Sequence, residues 1–503
     1  MTMKSKLLAG TILGAFAFSI APAHADAQAD MQKQIDALNQ QIQDLQVTLG
    51  NKVNKVEKAQ AEAPQWTFNN ARPVVTSADG RFSLALRGRF HLDAGTYFQD
   101  GEGFGSDDQR ATKDLSSGTN FRRAELGVEG VAFRDWYYAV NYTFGGSGVE
   151  DVGRVKEAYI QYRGIKLPAG MLKITVGAYQ EPLTMEDSTS SNEILFMERA
   201  SINNIVTDQL GGEGRSALGF QANGDNWFLS NYLVGSTVAT AATFDEQTGY
   251  AGRGAVNMTF LEDAGRIHAG ASGGVVMQPS QLTSGAAAAS GTTAATTIQL
   301  RDRPELRLDA TRLVDTGALQ ADGFYAYGAE LAASYKNAYI QGEYYVVGVD
   351  RYKLVNSAAS SSNLDGTNEF SGYYVQGSWI VTGENKPYKT ETATYGAPKV
   401  TAPFDLNAGT WGALELKARY SFLDLNDNDQ AGDKNSLAVA NGLAVRGGEQ
   451  QVIGAGFNWY PNNNIRFMVD WMNVSVDKLT SLSSNKQVGQ NYNALGIRTQ
   501  FAF

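Results

Sequence analysis

The side chains best placed to act on ions are arginine residues at alternate positions of extended segments. Arg87 and Arg89 fall on one face of the segment 81–97, and Arg123 falls on the polar face of the next such segment. Charged groups that line a confined pore select the ion that passes, so as a group these residues predict ion conduction. Arg122 is ambiguous, because strict alternation turns its side chain away from that of Arg123.

Pairing with carboxylates across neighbouring strands is the alternative role for each single arginine. Asp93, Glu125 and Glu129 lie in the same two segments and would hold the arginines in a rigid wall. For any one arginine both roles stay open, whereas for the group ion conduction is the favoured interpretation.

The sequence contains no arrangement of residues typical of an enzyme or a metal centre. His24 falls in an N-terminal export signal, and His91 and His268 are too few and too far apart to suggest a zinc site. There is no P-loop, no G-x-S-x-G motif and no cysteine nucleophile. The acidic run 424–429 lacks the spacing of an EF-hand loop and predicts a solvated loop. We therefore predict neither catalysis nor a bound metal or cofactor.

Alternation of apolar with polar or charged residues predicts the β-strands that position these side chains. In the segment 81–97, Phe82, Leu84 and Leu86 fall on one face, and the charged residues fall on the other. The same alternation recurs in five later segments: 123–129, 136–144, 172–178, 414–420 and 465–471. One apolar and one polar face on each strand fits a barrel with lipid outside and water inside.

The C-terminal segment 493–503 predicts how such a barrel closes. Leu495, Ile497, Phe501 and Phe503 share one face of an extended chain, and the opposite face is small or polar. A terminal apolar strand in water is an open edge and an aggregation hazard. It is protected if it pairs with the first strand and turns its apolar face to lipid. A buried strand of a soluble sandwich is the alternative.

The N-terminus predicts export. Lys4 and Lys6 precede the apolar run 7–21, and Ala23-His24-Ala25 is a small-x-small site for cleavage after Ala25. No other apolar run is long enough for a transmembrane helix, so a membrane location requires a barrel. The formal charge of −10 at pH 7 argues against nucleic acid as a partner. The absence of cysteine suits an exported protein without disulfides.

Residues 31–63 differ from the rest of the chain and predict a short coiled coil. Six apolar residues keep an a/d heptad register that is broken once, at Lys52. They are Ile35, Leu38, Ile42, Leu45, Leu49 and Val56. An isolated amphipathic helix is the alternative. Pro64 ends the helix, so the predicted parts are a signal peptide (1–25), a periplasmic coiled-coil segment (26–64) and a barrel (65–503).

Connections between the predicted strands alternate between short and long. Tight turns occur at 133–135 and 460–464, and the long connections are 99–118, 278–297, 356–370, 382–410 and 424–447. One rim of tight turns and one of long loops is the arrangement of outer-membrane barrels. The remaining roughly 440 residues, at roughly 27 per strand with its connections, predict an all-β transmembrane barrel of about 16 antiparallel strands.

Several motifs resemble those of the phosphate-selective porin O and P family of bacterial outer-membrane porins. In chain order they are Ser77 to Leu84 with Arg87-Gly88-Arg89, Phe121 to Ala124 with Leu126 to Gly130, Glu181-Pro182-Leu183 with Thr189 to Asn192, Phe196 to Arg199, Ala418 to Ser421 with Asp424 to Asp427, and Asn458 to Pro461. The resemblance implies a trimeric, 16-stranded, water-filled channel for passive uptake of small anions, with phosphate as the type solute. The aromatic C-terminus, with Phe501 and Phe503, resembles the closing strand that the barrel-assembly machinery recognises in outer-membrane barrels.

The resemblance also implies which residues form the site. Residues 180–208 resemble the family's inward-folded third loop, which narrows the pore. Family members line the lumen with an arginine ladder, which Arg89, Arg122 and Arg123 would carry, with Arg87 beside them.

The third loop itself departs from the family pattern. It has one basic residue, Arg199, whereas its acidic residues include Glu181, Glu186, Asp187, Glu193 and Glu198. Phosphate-specific members place lysine in or near the constriction, whereas this chain has Asn192 after Thr-Ser-Ser. A general or weakly cation-selective porin is therefore an alternative function, as is a structural or adhesive outer-membrane barrel.

Overall fold

The computed structural model describes residues 24–69, 71–99, 114–145, 153–238, 245–262, 264–281, 296–351, 366–429, 443–479 and 487–503. The predicted signal peptide lies outside this part of the chain except for its last two residues. Of the five predicted long connections, all but 382–410 lie largely outside it.

Within these residues the structure contains three helices and twenty-three strands. The helices are α1 (His24–Glu62), α2 (Met185–Ser188) and α3 (Ser201–Leu210). The strands are β1 (Gln65–Asn69), β2 (Arg72–Thr76), β3 (Ser83–Gln99), β4 (Gly118–Ala132), β5 (Trp136–Thr143), β6 (Arg154–Leu167), β7 (Gly170–Tyr179), β8 (Arg215–Asn223), β9 (Trp227–Thr237), β10 (Thr248–Phe260), β11 (Gly265–Gln278), β12 (Thr297–Ile298), β13 (Arg301–Asp302), β14 (Val314–Asp315), β15 (Leu319–Tyr335), β16 (Ala338–Arg351), β17 (Gly366–Ile380), β18 (Tyr388–Lys389), β19 (Thr394–Tyr395), β20 (Ala413–Asp427), β21 (Val445–Tyr460), β22 (Ile465–Asp477) and β23 (Asn491–Ala502).

Sixteen long strands form a closed antiparallel barrel. They are β3 to β11, β15 to β17 and β20 to β23, and each pairs with the barrel strand before and after it. The ring closes where β23 pairs with β3, with Phe501 opposite Phe90 and Ala502 opposite Arg89. The predicted strand number and the predicted closure through the C-terminal segment are both confirmed. The short hairpin of β1 and β2 extends the sheet next to the start of β3.

Side chains alternate between the interior and the outside of the barrel, as the sequence pattern predicts. On β3, His91 and Asp93 are buried, whereas Leu84 and Leu86 are exposed. Outward rows of exposed apolar side chains on a closed barrel form a lipid-facing surface. None of the helices in the described residues is both long and apolar enough to cross a membrane.

The rims of the barrel differ from the prediction at one connection. Six short connections share one rim: 133–135, 168–169, 224–226, 261–264, 336–337 and 461–464. Because strand direction alternates around the ring, the long connection 381–412 between β17 and β20 lies at this same rim. The prediction that the long connections all share the opposite rim is therefore wrong for 382–410. The length of a connection does not show at which rim of the barrel it lies, because the rim depends on how many strands precede the connection.

Among the connections that the structure describes, three turn into the interior of the barrel. The segment 180–214, which carries α2 and α3, contacts strands on opposite sides of the ring. Its Ser191 accepts a hydrogen bond from Arg89 on β3 at 2.5 Å, and its Met185 amide donates to Glu343 on β16 at 2.7 Å. This segment therefore crosses the space inside the ring.

The other two inward segments are 296–318 and 381–412. Glu305 of the first contacts Arg419 of β20 at 3.0 Å. The carbonyl of Thr392 in the second accepts a hydrogen bond from Arg253 of β10 at 2.7 Å. The interior therefore holds three folded segments in place of an open lumen.

An apolar core fixes part of this interior. In α3, Ile202, Ile205, Val206 and Leu210 recur at helical spacing and are buried. They belong to a cluster with inward-facing apolar residues of β15 to β17 and β21 to β23. Each fully buried side chain of this kind contributes about 1.5–3 kcal/mol, so the inward position of 180–214 is stabilised by apolar burial. The expectation of a polar inner face thus fails along part of these strands, where inward-facing residues such as Val347 and Val474 are apolar, although Glu343 and Arg498 on the same inner faces are charged.

The helix α1 belongs to a compact unit separate from that of the barrel, and the boundary between the two units lies between Ala63 and Pro64. It begins at His24, so the predicted cleavage site lies in its first turn. All six predicted a/d residues are exposed: Ile35, Leu38, Ile42, Leu45, Leu49 and Val56. Within the described residues this apolar stripe is not covered, and the coiled coil stays a prediction.

Candidate functional site

A β-bulge turns both Arg122 and Arg123 toward the interior. Along the pairing of β3 with β4, His91 lies opposite Arg123 and Leu92 lies opposite Phe121, so Arg122 is an extra residue. A bulge of this kind interrupts the strict alternation of side chains. It settles the orientation of Arg122, which alternation alone leaves ambiguous.

Arg123 lies in a cluster of four charged groups. Its guanidinium contacts Glu213 at 2.7 Å and Glu125 at 3.1 Å, and Lys156 contacts the same two carboxylates at 2.8 and 2.9 Å. Burial alone would raise the pKa of Glu213, but Arg123 and Lys156 outweigh burial and hold that pKa well below its usual range. Arg123 thus pairs with a carboxylate of its own strand, Glu125, and with Glu213 of the segment 180–214, and not across neighbouring barrel strands.

Arg87 and Arg89 follow each other along the inner face of β3. Arg87 contacts Glu157 at 2.8 Å and Glu129 at 3.5 Å. Arg89 donates to the Ser191 hydroxyl and has a carboxylate, that of Glu125, only at 3.7 Å. Its Nε has no hydrogen-bond partner among the described residues. Arg89 is therefore less fully neutralised than Arg87.

Glu198 is the carboxylate that gathers the most guanidinium groups in the inward segments. Arg122 donates to it through two nitrogens, at 2.6 and 3.0 Å. Arg498 of β23 contacts it at 2.9 Å and Arg307 of the segment 296–318 at 3.4 Å. Burial would raise the pKa of Glu198, but these three guanidinium groups hold it below its usual range.

Arg199 and Asp187 hold the segment 180–214 in its own shape. Arg199 donates to the carbonyls of Glu186 at 3.1 Å and Thr189 at 3.0 Å, and contacts the Asp187 carboxylate at 3.6 Å. Burial raises the pKa of Asp187, which Arg199 only partly opposes.

Glu186 anchors the segment 180–214 to the barrel. One carboxylate oxygen contacts Arg419 at 2.7 Å, and the other accepts from the amide of Ala200 and the side chain of Asn203, both at 3.0 Å. Its charge is fully used inside this network, so it is not available to a solute.

Asn192 and Glu193 link the segment to two other elements. The Asn192 side-chain oxygen lies 3.0 Å from Nε2 of His91 on β3. Glu193 forms a short ion pair with Lys389 in the segment 381–412. The two inward segments that enter from opposite rims therefore meet at this pair.

Glu181 is the one predicted loop residue whose carboxylate has no partner. It is 1 % exposed, and neither of its oxygens accepts a hydrogen bond from any described residue. Burial raises its pKa well above the usual range.

The two C-terminal aromatic residues lie at the closing seam. Phe501 is exposed on the outer face. The backbone of Phe503 exchanges two hydrogen bonds of 3.0 Å with Gly88 on β3, and a Cβ atom at Gly88 would lie 2.4 Å from the Phe503 ring. Gly88 thus leaves the space that the terminal ring occupies.

Several inward-facing charged residues were missed by the sequence analysis. On strands they are Lys156, Lys173, Arg253, Arg419, Arg466 and Arg498, and on inward segments Glu213, Glu305, Arg307 and Lys389. Those on strands lie on polar faces, so the alternation that identified Arg87 and Arg89 could have identified them. Nothing in the sequence marked the segment 296–318 as part of the interior.

Three neighbouring cavities lie inside the barrel along β3 to β6. The turn-side chamber (450 Å³) reaches the tight-turn residues Asn462 to Asn464. The middle chamber (230 Å³) shares Arg87, Arg89 and Ser190 with it. The loop-side chamber (130 Å³) shares Asp187 and Arg199, among others, with the middle chamber and reaches Gly145 at the opposite rim. Together the three chambers follow the barrel from one rim toward the other.

Basic side chains outnumber acidic ones along the three chambers. The basic residues are Arg72, Arg87, Arg89, Arg122, Arg123, Lys156, Arg154, Arg199, Arg307, Lys389 and Arg466. The acidic residues are Glu125, Glu129, Glu157, Glu181, Asp187, Glu193, Glu198, Asp208 and Glu213. Eleven positive groups thus face at most nine negative ones, although the chain as a whole is acidic.

Comparison with known proteins shows similarity over most of the chain. The family model "Phosphate-selective porin O and P" matches residues 84–503. Porin O of Pseudomonas aeruginosa is 23% identical over 425 residues, which cover 81% of this chain and 86% of that protein. An uncharacterized protein of Caulobacter vibrioides is 24% identical over 449 residues, covering 88% of this chain and 78% of its own. The solved anion-selective porin from Comamonas acidovorans is 11% identical with a TM-score of 0.46, covering 84% of this chain and 100% of that one.

Proposed function

Because the chain belongs to the phosphate-selective porin O and P family, we propose that this outer-membrane barrel is a water-filled channel that admits small anions by passive diffusion. The observation that carries the proposal is the excess of basic side chains along the three chambers. A narrow passage with low-dielectric walls focuses the field of such groups. Phosphate is the solute that the family description suggests.

The permeation path runs through the turn-side, middle and loop-side chambers, along β3 to β6. The other side of the interior is filled by the apolar core around α3 and by the segments 296–318 and 381–412. The predicted pore-lining residues Arg87, Arg89, Arg122 and Arg123 all border this path. The path therefore lies off the axis of the barrel.

The segment 180–214 is the constriction. It borders all three chambers through residues such as Ser190, Asp187 and Arg199. Its position is held by two ion pairs, from Glu186 to Arg419 and from Glu198 to Arg122. Arg89 and Ser191 face each other across the boundary between the turn-side and middle chambers, so an anion passing there exchanges hydration for guanidinium and hydroxyl groups.

Selectivity for anions should be moderate. Most arginines along the path already have a carboxylate within 4 Å, as Arg123 does with Glu213 and Glu125. Asn192 contributes an uncharged amide to the turn-side chamber. The field that a solute meets is therefore the small surplus of charge and not the full set of arginines.

Export, assembly and oligomeric state complete the proposal. A signal peptide cut after Ala25 delivers the chain to the periplasm, and the barrel-assembly machinery recognises the strand that ends at Phe503. In the outer membrane, lipid covers the exposed apolar rows of the strands. Three copies associate as a homotrimer, and the exposed apolar stripe of α1 forms a periplasmic coiled coil between them.

Planar-bilayer recording of the purified protein tests this function. In a KCl gradient we expect a reversal potential that shows preference for Cl⁻, and we expect added phosphate to reduce the chloride current. A preference for K⁺ would support the general or weakly cation-selective porin instead. A barrel that inserts but does not conduct would support a structural or adhesive role.

A further inference from the structure

The buried carboxylate of Glu181 is the feature that the anion channel leaves unexplained. Its side chain borders the middle chamber, and both oxygens lack a hydrogen-bond partner among the described residues. Arg215 is the basic residue whose charge acts on the Glu181 carboxylate. Its guanidinium, however, donates its hydrogen bonds to the backbone carbonyls of Gly211, Asp208 and Gly235. A buried carboxylate without a donor is costly, so it marks a place where a donor group fits.

Other acidic groups of the middle chamber differ from Glu181. Glu157 pairs with Arg87, and Glu213 pairs with Lys156 and Arg123. Asp187 contacts Arg199 through one oxygen, but its Oδ2 also has no hydrogen-bond partner among the described residues. The chamber therefore offers three carboxylate oxygens that no described residue satisfies, and they belong to Glu181 and Asp187.

Aromatic rings stand beside this acidic corner. Tyr159 and Tyr179 both border the middle chamber, and their ring centroids lie 4.7 Å apart in an edge-on arrangement. A carboxylate next to aromatic faces is a common environment for an organic ammonium group. The same chamber carries Arg87 and Arg89, which suit an oxyanion.

We propose that the middle chamber is a binding site for small zwitterions that carry an oxyanion and a protonated primary amine. Arg87 and Arg89 hold the oxyanion, and Glu181, with Asp187 and the two tyrosine rings beside it, receives the ammonium group. The three N–H donors of an ammonium match the unsatisfied carboxylate oxygens. This inference rests on the proposed anion channel, because the oxyanion half uses the same arginines.

The residues of the middle chamber suit an organic ammonium better than a metal ion. Among the described residues, no group of three or more histidine, cysteine, aspartate or glutamate side chains is arranged to hold a metal. The volume of 230 Å³ admits a small organic solute, and the tyrosine rings contribute contact area to its methylene groups.

Two matched probes test the proposal in planar bilayers. 2-Aminoethylphosphonate carries both groups, and ethylphosphonate carries the same phosphonate without the amine. We measure the concentration of each that halves the single-channel current of the full-length protein, in wild type and in Glu181→Gln. In wild type we expect the amine to lower the half-blocking concentration about tenfold, as one charge-assisted hydrogen bond would. In Glu181→Gln we expect the two probes to block at similar concentrations.

Two controls keep the outcomes distinct. Glu369→Gln removes the same charge from an exposed position on the outer face of β17 and should leave the tenfold difference unchanged. If wild type shows no difference between the probes, or if the difference survives in Glu181→Gln, the zwitterion site is refuted while the anion channel stands. If neither probe blocks and no preference for Cl⁻ is seen, the anion channel itself fails. If Glu181→Gln does not fold, equal block of the wild type by both probes still refutes the site.

Discussion

Replacing three arginines of the permeation path should invert the ion selectivity. Arg87, Arg89 and Arg123 border the turn-side, middle and loop-side chambers. The lining has eleven basic and at most nine acidic groups, so the triple change to alanine removes the positive surplus and leaves eight basic groups against up to nine acidic ones. We therefore expect Arg87→Ala/Arg89→Ala/Arg123→Ala to prefer K⁺ where the wild type prefers Cl⁻.

The size of the effect follows from the distances in the chambers. A unit charge 4 Å from an ion contributes about 1 kcal/mol at the dielectric constant of water and about 4 kcal/mol at an effective value of 20. The contribution has opposite signs for Cl⁻ and K⁺, so each removed arginine shifts the two ions relative to each other by about 2 kcal/mol even in water. Screening by salt reduces this figure, but three such changes still exceed a modest initial preference.

The fold should tolerate the change, because three of the four carboxylates that pair with these arginines keep another basic partner, and only Glu157 loses its ion pair. Glu125 and Glu213 both retain Lys156, and Glu129 retains Arg72. The matched control is Arg87→Lys/Arg89→Lys/Arg123→Lys, which preserves charge and removes the guanidinium geometry.

The assay is the reversal potential in a tenfold KCl gradient, for which perfect selectivity gives about 59 mV. We expect wild type and the lysine variant to lie on the chloride side and the alanine variant on the potassium side. An alanine variant with the wild-type reversal potential would show that these arginines do not set the selectivity.

Three further changes test other parts of the structure. Desolvation inside the barrel raises the pKa of Asp208 to about 6, although the residue is exposed where it borders the loop-side chamber. Since deprotonation above that pH adds a negative charge to the path, the preference for Cl⁻ should weaken between pH 5 and pH 7. Asp208→Asn should show a smaller change over this range. Deletion of residues 26–63 should leave the heat-modifiable, folded band of the barrel in the outer membrane, because the helix and the barrel are separate compact units; loss of that band would contradict the division. Deletion of Phe503 removes two backbone hydrogen bonds to Gly88 and should lower the amount of barrel in the outer membrane while the refolded protein still conducts; unchanged insertion in cells would argue against a role in assembly.

The barrel could be predicted from the sequence because its strands follow a simple physical rule. A strand between lipid and a polar interior must alternate, and segments such as 81–97 and 465–471 do. The closing strand could also be predicted, because a terminal apolar strand needs a partner. In the structure this strand, β23, pairs with β3. The strands β15 and β16 were harder to recognise, since their inner faces carry apolar residues such as Phe324 and Val347 that meet the core of the inward segments.

The orientation of Arg122 shows a second kind of limit. Alternation turns it away from Arg123, and only the register between β3 and β4 shows that it is the extra residue of a bulge. Nothing within residues 118–132 identifies a bulge, because the register is fixed by pairing with another part of the chain. The path of 381–412 into the barrel from the tight-turn rim is likewise a property of the closed ring.

The acidity of the third loop illustrates why the sign of a passage cannot be taken from the composition of one segment. Six acidic residues in 180–208, against the single basic residue Arg199, suggest a segment that repels anions. Yet Glu186 is paired with Arg419, and Glu198 gathers guanidinium groups from β4, β23 and the segment 296–318. A carboxylate whose charge is matched within 3 Å presents little field to a passing ion, since the two opposite charges act together as a dipole. A solute therefore meets mainly the charged groups that lack a full set of partners. Arg89 is incompletely neutralised, and the Glu181 carboxylate has no hydrogen-bond partner among the described residues. The proposed anion selectivity and the proposed ammonium site both follow from these incomplete pairs, whereas the paired residues hold the inward segments in place.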